Sequence, residues 1–145
     1  MTKKELSQLY YLNKEIKQLE NKLMELETTA YKTTSNLTGM PGNGKHSDKV
    51  GQYAAEIVDL KALINLNIEK CWREKRRLER YIQSIDDSLI RQIFQLRYIE
   101  GMKWEEVADK IKGVTADSIK KQCYRYIRHS QKNVPHVPRG YDKMV

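Results

Sequence analysis

Leu9, Leu12, Ile16, Leu19, Leu23 and Leu26 recur at alternating spacings of three and four residues. A helix bearing that seam must lay it against another helix, so the pattern predicts a coiled-coil-like helix from Thr2 to about Thr28, roughly three heptads. Between the seam positions Lys14, Glu15, Lys17, Glu20, Lys22, Glu25 and Glu27 mix both signs, as a solvated face does. A second stripe runs through Val50, Tyr53, Ile57, Leu60, Ile64, Cys71, Leu78 and Ile85, with Asn67 and Glu74 as polar members. It predicts a helix capped at Ser47 or Asp48 and reaching about Ser84, roughly 50 Å long at 1.5 Å per residue. The intervening segment 29–47 is rich in Thr, Ser, Asn and Gly and contains Met40-Pro41-Gly42-Asn43-Gly44, so it reads as a flexible loop. Residues 1–84 are therefore expected to form an antiparallel helical hairpin whose leftover apolar surface another subunit covers.

Composition supports an elongated all-α chain. Of 145 residues 32% are charged and 39% hydrophobic, with seven Gly and three Pro, too few turn residues for a β-rich fold. The formal charge of +8 points to a polyanionic partner. No apolar run is long enough to span a bilayer and the opening MTKKELSQLYYLNKE lacks a signal-peptide core, so a cytoplasmic protein without a membrane partner is expected. Cys71 and Cys123 fall on apolar stripes and read as core thiols. His46, His129 and His136 share no metal-ligand spacing, and no metal is expected. Gly39, Gly42, Gly44 and Lys45 resemble a phosphate-binding loop only loosely: no strand precedes them and His46 stands where Ser or Thr is needed. With no nucleophile–base set and no acid cluster, neither an enzyme nor a cofactor is expected.

Beyond Ser84 the pattern changes to three short helices separated by turn signals. Ser84–Asp87 offers caps, and Leu89, Ile90, Ile93, Phe94, Leu96 and Tyr98 then run to Gly101. Trp104, Val107, Ala108 and Ile111 form the next stripe, ended by Gly113, and Thr115 caps a helix with Ile119, Cys123, Tyr126 and Ile127 inward. Helix, short glycine turn and helix make a helix-turn-helix module over 85–132, whose last helix enters a DNA major groove. Phe94, Tyr98 and Trp104 read as its core, not as base-stacking rings. Residues 133–145, with two prolines, read as an exposed tail.

On that last helix Asp117, Ser118, Lys121, Gln122 and Arg125 face outward and are the base-reading candidates. Gln suits adenine and Lys or Arg suits guanine. Thr115, Lys120, Arg128 and Lys132 suit phosphates. Upstream, the run KCWREKRRLER (70–80) supplies Arg73, Arg76, Arg77 and Arg80, readable as a solvated face or as further phosphate contacts.

The stretch 96–127 resembles the fourth region of bacterial sigma factors in Leu96-Arg97-Tyr98, Gly101, Glu106-Val107-Ala108, Thr115 and Ile119-Lys120. It departs from that pattern by one extra residue, Lys112, before Gly113. With the helical N-terminal half, the layout is similar to phage late-gene transcriptional regulators of the ArpU and RinA kind. The resemblance implies a sequence-specific double-stranded-DNA-binding phage or prophage regulator, a homo-oligomer with a dimer favoured, acting near promoters with RNA polymerase as a further partner. The alternatives are a small terminase subunit and a protein-interaction module that touches polymerase without reading DNA.

Overall fold

The computed structural model describes residues 1–35 and 45–133. Within them the chain is helical throughout, without a strand: α1 (Lys3–Leu6), α2 (Gln8–Ser35), α3 (Lys45–Gln83), α4 (Ser88–Phe94) with a π-helical extension (Gln95–Ile99), α5 (Trp104–Ile111) and α6 (Ala116–Lys132). Two compact units result, Gln8–Arg80 and the combination of Met1–Ser7 with the chain from Tyr81 onward. The first seven residues thus group with the unit that follows Arg80. The phosphate-loop-like glycines and residues 134–145 of the tail lie outside the described residues.

The hairpin unit pairs α2 with α3 in antiparallel sense. Cys71 Sγ donates to Asn13 Oδ1 at 3.4 Å, and Lys61 Nζ lies 3.5 Å from Glu27 Oε1, so partners advance along one helix as they recede along the other. Both seams face inward as their spacing requires, since Leu9, Leu60, Ile64, Asn67, Cys71 and Leu78 are buried. Leu12, Ile16, Leu19, Leu23 and Leu26 are half-buried. Burial pushes the Cys71 thiol pKa up, with the Glu15 carboxylate adding to the effect.

Three boundaries correct the sequence reading. Ser7 interrupts the first helix, its amide and hydroxyl both returning to the Lys3 carbonyl. α2 then runs seven residues past Thr28 into the expected loop. Threonines disfavour helix interiors because their hydroxyls compete for backbone groups. Here the hydroxyls of Thr28, Thr29, Thr33 and Thr34 instead bond the carbonyls one turn back, at 2.8 to 2.9 Å. α3 likewise begins at Lys45, which places Ser47 and Asp48 inside the helix and not at its cap.

The C-terminal unit is built around Phe94, fully buried against three tyrosine rings: Tyr81 stacked at 6.3 Å, Tyr98 and Tyr126 edge-on at 5.4 and 5.7 Å. Ile82, Ile85, Ile93, Val107, Ile119 and Cys123 complete this core, and Leu6 of α1 is also fully buried. The Cys123 thiol, at 3.6 Å from the Tyr98 hydroxyl, is raised to about 11 by burial and stays protonated.

Candidate nucleic-acid interface

What aims α6 is a series of local devices readable in bond lengths. Asp87 caps α4, its Oδ1 accepting from the amides of Leu89 and Ile90 at 2.8 and 3.2 Å. Arg91 crosses back to the Ile85 and Asp86 carbonyls, which fixes the turn leading out of α3. The sequence reading carries α4 helically up to Gly101. Its last turn is in fact π-helical, closed by the Glu100 amide on the Gln95 carbonyl at 3.0 Å. The wider turn is followed by Gly101 at φ +71, a left-handed conformation that costs glycine least. Arg97 projects from this turn, donates to the Met102 carbonyl at 2.7 Å, and lies 4.8 Å over the Trp104 ring. Trp104 is consequently half-buried and not part of the closed core.

α5 starts with the Lys103 amide on Glu106 Oε2 at 2.8 Å. The turn after α5 is made by the backbone of two residues: Lys112 at φ +60 and Gly113 at φ +78 take two successive positive-φ steps. Thr115 then caps α6 by accepting from the Ser118 amide at 3.2 Å. α5, this turn and α6 form the helix-turn-helix, with Ile119, Cys123 and Ile127 inward as their spacing requires and Tyr126 half-buried.

The outward face of α6 carries Asp117, Lys120, Lys121, Arg125, Arg128 and Lys132, all exposed, with Ser118 and Gln122 half-exposed. Two of the base-reading candidates are engaged within the helix. Lys121 Nζ lies 2.8 Å from Asp117 Oδ2, and this hydrogen bond holds the Asp117 carboxyl below its ordinary pKa. Gln122 Nε2 reaches Ser118 Oγ at 3.5 Å. Arg125, Arg128 and Lys132 make no ion pair among the described residues, which leaves their donors available. Thr115 is committed to its cap before it can meet a phosphate.

The four arginines of the 70–80 run belong to the hairpin unit. All are exposed, and at 100° per residue Arg73, Arg76, Arg77 and Arg80 share an arc of roughly 100° on α3 opposite the Cys71–Leu78 seam. Arg77 Nη1 bonds Glu74 Oε1 at 3.2 Å. Sequence reasoning missed Lys3 and Tyr124. Lys3 Nζ sits 4.3 Å over the Tyr124 ring of α6, a contact made across more than a hundred residues and announced by no periodicity.

Among the described residues no group of three or more His, Cys, Asp or Glu side chains is placed to hold a metal, and no helix is long and apolar enough to cross a membrane. No protein-family model, curated protein or solved structure matches this chain.

Proposed function

We propose that this chain is a sequence-specific duplex-DNA-binding regulator of the phage or prophage type, acting near promoters inside its bacterial host, without catalytic activity or cofactor. The observation that carries the reading is the division of charge within the C-terminal unit. From Tyr81 to Thr115 six acids stand against five bases, whereas α6 has five exposed Lys and Arg residues and one acid. A helix of that charge at the end of a helix-turn-helix suits a groove walled by phosphates.

Arg125, unpaired, is the first base reader, with a fork that matches guanine in the major groove. Lys121 reads a base only by exchanging Asp117 for it, and Gln122 by leaving Ser118. Such exchanges favour sites that replace both bonds, and each good bidentate pair contributes about 1–3 kcal/mol of discrimination.

The hairpin is the self-association region. A groove of about 450 Å³ on it is lined by Lys22, Leu26, Glu56, Asp59, Leu60 and Leu63. Its Lys22 opposes carboxylates, so a two-fold-related copy would meet complementary charge over an apolar floor. A dimer presents two α6 helices to half-sites about one helical turn, roughly 34 Å, apart. The sigma-like motif extends the proposal to RNA polymerase as a neighbour at the promoter.

Light scattering and salt-titrated binding to duplex fragments from the chain's own genomic neighbourhood test the reading. The expected result is a dimer that prefers one promoter-proximal fragment and loses that preference in the Lys121→Ala, Gln122→Ala, Arg125→Ala triple variant at unchanged helicity. A ring of eight or more subunits would indicate a packaging protein instead, and absence of DNA binding at low salt would leave only a protein partner.

A further inference from the structure

Two ammonium groups converge on one aromatic ring in the C-terminal unit. Lys3 Nζ lies 4.3 Å and Lys120 Nζ 6.0 Å from the centroid of Tyr124. Tyr124 in turn meets Trp104 edge-on at 6.0 Å, and Arg97 stacks 4.8 Å over Trp104. Three cations thus surround two half-buried rings; none of the three forms an ion pair with a carboxylate among the described residues, and the Asp117 carboxylate, which pairs with Lys121, acts on Lys120 only at longer range.

Ring faces attract cations but do not cancel the repulsion between them, whereas an anion within reach of both Lys3 and Lys120 would. Position identifies the anion. At 100° per residue Lys120 and Tyr124 lie on one flank of the outward face of α6, beside the arc of Lys121 and Arg125. When a helix lies in a major groove, the structures beside its flanks are the phosphate backbones.

We propose that Lys3 and Lys120, seated over Tyr124, form a clamp for a backbone phosphate of duplex DNA, which makes the N-terminal turn of the chain part of the DNA-binding surface. The clamp rests on the DNA-binding reading above. Leu6, fully buried, and the capping pair of Thr2 and Glu5 hold α1 in register, so Lys3 is presented by a fixed turn.

The test uses the full chain and a duplex of about 25 base pairs of arbitrary sequence, because phosphate contacts are read by salt dependence and not by base preference. Each contact contributes about −0.9 to the slope of log K against log salt. Lys3→Ala and Lys120→Ala are each expected to flatten the slope by about one such increment, so that affinity falls about 3-fold less between 50 and 200 mM salt. The double variant should show both increments and Lys3→Arg neither. Preference for a specific fragment should remain, a readout that a purely structural tether would not give. A double variant with the wild-type slope, while Arg128→Ala flattens it, would overturn the clamp and leave the DNA reading standing. A wild-type chain that binds no duplex at low salt would overturn both.

Discussion

The two units draw on the same kinds of apolar residue and reach different states of closure. In the C-terminal unit Phe94, Ile93, Val107, Ile119 and Cys123 are sealed from solvent by short helices that meet around them. In the hairpin, Leu12, Ile16, Leu19, Leu23 and Leu26 stop at half-burial, and every large hydrophobic that stands exposed among the described residues, from Tyr10 and Tyr31 to Leu63, Leu66 and Trp72, belongs to this unit. The difference is geometric. Two helices side by side share one line of contact, so each seam residue is covered from one direction only. Several helices packed around a point cover a side chain such as Phe94 from all sides. A unit of the first kind is completed by another surface, and one of the second kind is complete alone.

Phe94→Ala makes the strongest attempt to break that contrast. Truncating a sealed aromatic costs about 3–5 kcal/mol, enough to unfold a unit of this size, while Leu19→Ala in the half-open seam should cost under about 2 kcal/mol in dilute protein. Each unit carries one tryptophan, Trp72 in the hairpin and Trp104 in the C-terminal unit, so denaturation of Trp72→Phe and Trp104→Phe backgrounds reads them separately. Equal losses for the two substitutions would mean that the hairpin seam is as closed as the Phe94 core.

Concentration dependence probes the open side of the comparison. If a second copy covers the hairpin, its stability should rise by about 2.7 kcal/mol over a hundredfold increase in protein, seen as a shift in the melting transition that Trp72 reports. The transition reported by Trp104 should stay fixed. Leu63→Ser with Leu66→Ser should abolish the shift. A hairpin transition independent of concentration would show that no copy completes it.

How far each unit was legible in the sequence follows the same division. The hairpin's seams could be read residue by residue, because a 3-4 spacing on a long helix leaves one face to bury, and every seam position from Leu9 to Leu26 is indeed the less exposed one. Its ends were not legible, since threonine propensity argues for a loop while four hydroxyl-to-carbonyl bonds keep α2 helical to Ser35. In the C-terminal unit the caps at Asp87 and Thr115 and the left-handed Gly101 and Gly113 were written in residue type. The π-helical turn at Gln95–Ile99, the half-exposed Trp104 and the docking of Lys3 on Tyr124 were not, because each depends on tertiary neighbours. The intrahelical pair of Asp117 and Lys121 is legible in its i,i+4 spacing, which competes with base contact for the same lysine.

Asn67 sharpens the contrast from inside the hairpin. It is the buried polar side chain among the described residues, and its Nδ2 has no hydrogen-bond partner there. Leaving a buried donor unsatisfied costs about 1–3 kcal/mol, so Asn67→Leu should raise the stability of the Trp72-reported transition by a similar amount. A polar residue in such a seam also selects register, so the variant should form additional oligomers in light scattering. A loss of stability would mean that the amide finds its partner in an assembled state.

The smallest effect tests whether the closed unit is as well fitted at its turn as in its core. Lys112 holds φ +60 and ψ 144, a region that side chains other than glycine enter only under strain of about 1–3 kcal/mol. Lys112→Gly relieves that strain but gives the unfolded chain more freedom, so a net gain of about 1 kcal/mol is expected in the Trp104-reported transition, with none at Trp72. Lys112→Ala, which keeps the Cβ that causes the strain, should leave stability unchanged and so separates backbone from side chain. If the glycine variant is less stable, the lysine side chain holds the turn between α5 and α6 through contacts that outweigh its backbone strain. Lys112 would then be a fastening of the turn and not a strained position merely tolerated.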